Sequence, residues 1–190
     1  MSLPSIYSLL QSKQTVFNLA KASLVTGVDN RSQLGQRLRY YNRKGHIRQV
    51  RRNVFVKDGY LPEELACVIF TPCYISLEYV LQREGVIFQY DNTITLVSYL
   101  RREIQVDGHN LSYRKMKDSI LTNPKGIHFN QTYCIASPER AFLDTCYLYP
   151  DFYFDRTDVL DKEKVISLLD IYNSKSLEKR IMELMGIKSL

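Results

Sequence analysis

Between Asp29 and Asp58 the chain has no acidic residue, although nine lysines and arginines lie in that interval (NRSQLGQRLRYYNRKGHIRQVRRNVFVK). Other absences narrow the field. No C-x-x-C pair occurs among Cys67, Cys73, Cys134 and Cys146, and His46, His109 and His128 lie far from them in sequence. A zinc site is therefore not expected, and the cysteines read as reduced, mostly buried thiols of a cytosolic protein. No apolar run approaches the ~18 residues of a membrane span. The first residues, MSLPSIYSLLQSK, show no basic n-region, so no signal peptide is expected and a cytoplasmic location follows. A glycine-rich phosphate loop, an internal repeat and a low-complexity tract are all missing.

What is present is an uneven division of charge. Residues 1–60 hold 11 basic and 2 acidic side chains, a net of +9, whereas residues 61–190 hold 15 and 18, a net of −3. The first third alone therefore attracts polyanions and releases counterions on binding them.

Apolar spacing predicts a short helix over 4–11, with Ile6, Leu9 and Leu10 on one face. A second helix is predicted over 17–26, with Leu19, Ala22 and Leu24 inward and Gly27 as its stop. Asp29-Asn30 starts a third, from Arg31 to about Lys44, on which Leu34, Leu38 and Tyr41 recur at i, i+4 and i+7 as the core face. At ~100° per residue, Ser32, Gln36, Arg39, Tyr40 and Arg43 fall on the opposite face. Two strands, 46–50 and 54–57, are joined through Arg51-Arg52-Asn53, where asparagine tolerates a left-handed turn. Helix, turn, helix and basic hairpin in this order predict a winged helix-turn-helix over residues 1–60, followed by a mixed α/β domain over 61–190. The fold class is α+β.

In a helix-turn-helix the start of the second helix meets base edges. Here that segment supplies Asn30, Arg31, Ser32, Gln33 and Gln36, whose amides suit adenine and whose arginine suits guanine. Arg37, Arg39, Tyr40, Arg43 and Lys44, with Arg48, Arg51 and Arg52 of the wing, suit phosphates. An exposed basic helix used only for protein contacts has the same charge pattern and stays open as an alternative.

In the second domain, Ser76 is expected to cap a helix ending near Gly85. Strands are expected at 94–97, 103–106, 111–114 and 132–135, with Asp107-Gly108 as a hairpin signal. Ser137-Pro138-Glu139 is a helix start, with serine as N-cap and proline at the first position. Two more helices, 162–172 and 176–185, complete the chain. Arg140 and Asp144, four residues apart, suit an intrahelical ion pair. Tyr147, Tyr149, Phe152, Tyr153 and Phe154 suit a core or an interface. Glu103, Asp107, Lys115 and Lys117 leave a nuclease-like alternative open without specific spacing. No catalytic set, cofactor or metal is predicted, and the expectation is a non-enzymatic protein.

Three segments in order, the basic region, YISLEYVLQREGVI and ASPERAFLDTCYL, resemble the AbiEi-type antitoxins over residues 15–155. Ser76, Leu81 and Gly85 match the second segment of that family. Ala136, Glu139, Arg140, Ala141, Leu143 and Asp144 match the third. Tyr79 and Val80 replace small residues, and Asn53 and Phe55 stand where glycine and tyrosine are usual. The resemblance implies a DNA-binding autorepressor on double-stranded operator repeats. It also implies an antitoxin of a type IV toxin–antitoxin (abortive infection, phage defence) system that counteracts a nucleotidyltransferase toxin, and it does not imply a stable complex with that toxin.

Overall fold

The computed structural model describes residues 6–186, with the side chain of Ile6 excepted. It is a mixed α+β chain with two sheets. Contacts divide it into two compact units: residues up to Thr71 with the short stretches Gln105–His109 and Gln131–Tyr133, and the remainder.

The first unit begins with α1 (Ile6–Gln11), β1 (Val16–Asn18), α2 (Leu19–Thr26) and α3 (Arg31–Arg43). Strands β2 (Arg48–Arg51) and β3 (Val54–Val56) follow, then α4 (Pro62–Ile69). Residues 4 and 5 of the expected first helix lie outside the described residues. Within α1, Leu9 is buried and Leu10 is exposed. The helix expected over 17–26 is split. Val16-Phe17-Asn18 is extended, and the Asn18 side chain accepts from the Lys21 N–H at 2.9 Å to start α2. The reason is tertiary: β3 needs a partner on its second edge, and β1 supplies it with Phe17 opposite Phe55. The change of period rotates the face. Ala22 and Thr26 are buried, Leu19 packs against the core, and Leu24, expected inward, is 84% exposed.

Gly27 (φ 67°) closes α2 with its N–H on the Ser23 carbonyl, and Asn30 caps α3. The sheet order is β1-β3-β2. Leu9, Phe17, Ala22, Leu34, Leu38, Ile47 and Phe55 form one cluster, against which Val25, Val28 and Tyr41 pack. Each large member contributes roughly 1.5–3 kcal/mol by leaving water. Helix α4, beyond residue 60, belongs to this unit. Its buried Glu64 accepts from the N–H groups of Thr15 and Val16 and from the Thr15 hydroxyl, tying the helix to β1.

The second unit is built on a six-stranded sheet of order β6-β7-β5-β4-β9-β8, of which the β6–β7 turn (Gln105–His109) and the first residue of β9, Tyr133, fall in the first unit. Its strands are β4 (Cys73–Ile75), β5 (Ile94–Ser98), β6 (Arg102–Val106), β7 (His109–Lys115), β8 (Ile127–Asn130) and β9 (Tyr133–Ala136). Its helices are α5 (Glu78–Arg83), α6 (Asp118–Leu121), α7 (Pro138–Leu148), α8 (Lys162–Leu168), which runs into a 3₁₀ turn at Leu169–Tyr172, and α9 (Lys175–Leu184). Strands β5 and β7 pair in parallel, as do β4 and β9, while β4 and β5 are antiparallel. Asp107 (φ 52°) and Gly108 (φ 83°) form a two-residue turn with both residues left-handed, so the strand resumes at His109 without a longer loop.

Ser137 caps α7 as expected, but Ser76 caps nothing. Leu77 (φ 61°) precedes α5, and the Ser76 hydroxyl donates to Asp144 at 2.8 Å. Arg140 and Asp144 do pair, at 3.2 Å, with both side chains fully buried. The remaining Arg140 donors reach the Tyr74 hydroxyl and the Ile120 and Lys125 carbonyls, and Asp144 also accepts from Tyr74 and Tyr172. Burial acts to lower the Arg140 pKa, but Asp144 and the flanking tyrosines outweigh it and hold the guanidinium above its ordinary value. The pair and its hydrogen-bond partners form a polar cluster inside the second unit, with neither charged side chain exposed. Of the aromatic segment, Phe154 packs on both Phe152 and Phe142, while Tyr153 is 79% exposed.

Candidate nucleic-acid interface

Helix α3 is fastened to its unit by one face. Leu34, Gly35 and Leu38 are buried, and Asn42 accepts the Gln49 N–H at 2.8 Å, joining the end of α3 to β2. This link has no signature in the sequence. Ser32, Gln36, Arg39 and Arg43 therefore form an exposed stripe along α3 about 16 Å long. Arg31, Gln33, Tyr40 and Lys44 are exposed beside it, with the Lys44 ammonium 5.8 Å from the centre of the Tyr40 ring. Arg37 is half-buried, against Leu34, Leu38 and Tyr41.

Asn30 has a structural task. Its side-chain oxygen accepts the Gln33 N–H at 3.1 Å, so the acceptor half of an adenine-gripping amide is already engaged. Gln33 and Gln36 have exposed side chains.

At the tip between β2 and β3, Arg51 pairs with Val54, leaving Arg52 and Asn53 as the turn. Asn53 takes φ 61°, as the turn requires. A bulge at Val50 shifts the register, with Arg51 and Arg52 exposed on the far side of it. The Arg51 guanidinium lies 5.4 Å from the Phe70 ring centre.

Two of the nine cations are otherwise occupied. The Lys57 ammonium donates to the Leu10 and Ser12 carbonyls, and burial lowers its pKa while Glu64 acts in the opposite direction. Arg48, expected to meet phosphate, makes a two-pronged ion pair with Asp107 inside the same unit, with Nη2 to Oδ2 at 2.7 Å. The Tyr60 hydroxyl donates to the same carboxylate. These hydrogen bonds, from Arg48 and then Tyr60, hold the Asp107 carboxyl at about 2. Burial, with the hydrogen bond to Asp107, pushes the Tyr60 phenol up to about 12. Neither partner was legible in the sequence, since Asp107 is 59 residues from Arg48.

The free set is thus Arg31, Arg39, Arg43, Lys44, Arg51 and Arg52, all exposed and, among the described residues, none in an ion pair. Chemically, such a face can neutralise phosphates and offer amide and guanidinium groups to base edges. In the second unit, Glu103 pairs with Arg114 at 2.7 Å, and among the described residues no group of three or more His, Cys, Asp or Glu comes together as a metal site would. No helix among them is long and apolar enough to cross a membrane.

No protein-family model matches the chain, and no curated protein is similar to it.

Proposed function

We propose that the first unit is a winged helix-turn-helix and that the chain is a DNA-binding autorepressor and antitoxin of the AbiEi type, non-enzymatic and acting against a nucleotidyltransferase toxin. The observation that carries the DNA-binding reading is the acid-free face of α3 and the β2–β3 tip, with its six unpaired, exposed cations. The order α1-β1-α2-α3-β2-β3 with sheet order β1-β3-β2 supports the winged-helix reading, because it leaves one face of α3 and the hairpin tip outside the core. Ser32, Gln33 and Gln36 then read bases, and the arginines hold the backbone. The antitoxin reading rests on the resemblance of the 74–87 and 136–148 segments.

Fluorescence anisotropy on duplex DNA from the region upstream of the gene tests the first half. Six phosphate contacts give a slope of log K on log salt of up to about −5. Charge reversal at Arg51 and Arg52 reduces that slope by about 2 and weakens binding across sequences alike. An unchanged slope and affinity would overturn the wing assignment. For the second half, a nucleotidyltransferase encoded beside the gene is expressed with and without this chain. Growth restored by the chain supports the antitoxin reading, and persistent arrest refutes it.

A further inference from the structure

The stretch from Asn30 to Lys57 has no acid of its own, yet folding brings one carboxylate to its second strand. The turn at Asp107 and Gly108, both left-handed, sets the Asp107 side chain against Arg48 of β2. Arg48 grips it with both Nη groups, and the Tyr60 hydroxyl donates to Oδ2 as well. The His109 ring meets that of Tyr60 edge-on with centres 6.0 Å apart, and it too lies within electrostatic reach of Asp107. All four residues belong to the first unit.

A guanidinium offers the same fork to a carboxylate as to a phosphate, so Asp107 occupies the place that two phosphate oxygens would take. The pair is open to exchange. The Arg48 and Asp107 side chains are 52% and 22% exposed, and water screens such pairs so that they hold loosely. Arg48 also lies on the strand that leads to the wing tip. At ~3.3 Å per residue it stands roughly 10 Å from Arg51, close enough for one DNA backbone lying on the tip to meet both.

We propose that Asp107 is a built-in competitor of DNA, an autoinhibitory contact that withholds Arg48 from phosphate and holds the affinity of the basic face below what its cations allow. The inference rests on the DNA-binding reading, which supplies the phosphate. It goes beyond that reading in assigning a restraint to a residue outside the basic segment. The restraint acts on backbone contacts, so it is the same for every sequence.

The test is salt-titrated fluorescence anisotropy of the full chain on the upstream duplex and on an unrelated duplex of equal length. Four proteins are compared: wild type, Asp107→Asn, Arg48→Gln and the double variant. Asparagine tolerates the left-handed turn, so Asp107→Asn keeps the backbone in place. It is expected to tighten binding about threefold to tenfold on both duplexes and to steepen the slope of log K on log salt by about 0.9, the share of one phosphate contact. Arg48→Gln in the wild type changes that slope by less than about 0.3, whereas in the Asp107→Asn background it abolishes the gain. Unchanged affinity and slope on Asp107→Asn would overturn the proposal. So would a gain that survives Arg48→Gln, which is relief of repulsion alone, or an equal loss on Arg48→Gln in both backgrounds, which means that Asp107 withholds nothing. In each of these cases the wild type still binds DNA and the DNA-binding reading stands. Absence of duplex binding by all four proteins overturns that reading and this inference together.

Discussion

Replacing Asp144 with alanine isolates what holds the second unit together. The carboxylate accepts four hydrogen bonds, from Arg140, Tyr74, Ser76 and Tyr172, and neither it nor Arg140 has any exposed surface. Its removal strands a guanidinium charge in the core and leaves three hydroxyls short of an acceptor. Loss of one partner of a buried ion pair costs about 3–5 kcal/mol, a large part of the ~5–15 kcal/mol that holds a domain folded. Removing both charges is a different perturbation. Arg140→Leu with Asp144→Leu leaves only neutral groups unsatisfied, the Tyr74, Ser76 and Tyr172 hydroxyls and the Ile120 and Lys125 carbonyls, and no unpaired charge in the core. The double variant is therefore expected to cost less than the sum of the two single ones by at least about 2 kcal/mol. Urea unfolding followed by far-ultraviolet circular dichroism measures all four corners of the cycle. An Asp144→Ala cost below about 1 kcal/mol, or additivity within ~0.5 kcal/mol, would refute a coupled buried network.

Three further outcomes follow from single positions. Gly126→Ala places a methyl 2.9 Å from the Arg140 Cβ and 3.2 Å from Leu168 at φ 71°, so a loss of roughly 1–3 kcal/mol is expected by urea unfolding, with a neutral result excluding the packing shown. The Asp107 carboxyl is held at about 2, below its unfolded value, so its stabilisation is present above about pH 4 and disappears as pH falls through 2. The stability difference between the wild type and Asp107→Asn should accordingly be constant near neutrality and shrink between pH 4 and 2; a difference that grows on acidification contradicts the Arg48 and Tyr60 pairing. Asn53→Gly should be close to neutral, whereas Asn53→Val, forced to φ 61°, should lower stability by about 1–2 kcal/mol, and equal melting temperatures for the two would exclude the left-handed turn.

Local chemistry made much of the fold legible. Asn30, Gly27, Ser137 and Pro138 mark helix ends through hydrogen bonds made within a few residues, and each stands where it was expected. The stripe of Leu34, Leu38 and Tyr41 also follows from period alone. Local signals mislead where a distant partner decides. Val16-Phe17-Asn18 carries helix-like apolar spacing but pairs with β3, and Ser76 looks like a cap but turns to a carboxylate 68 residues away. Strand β8 alternates apolar and polar residues over only four positions, a run too short to separate from a loop, and three of the four are exposed.

The candidate interface divides in the same way. The sequence by itself determined that residues 30–57 are basic, free of acid and set on a helix and hairpin, because charge and period are properties of the chain. Only the tertiary structure decided which cations stay available. Arg48 is neutralised by Asp107, Lys57 is held by the Leu10 and Ser12 carbonyls, and the Asn30 oxygen caps its helix, while six other cations remain exposed. The physical reason is that a charge acts over ångströms in space, and the groups that quench it are brought there by folding rather than by sequence proximity.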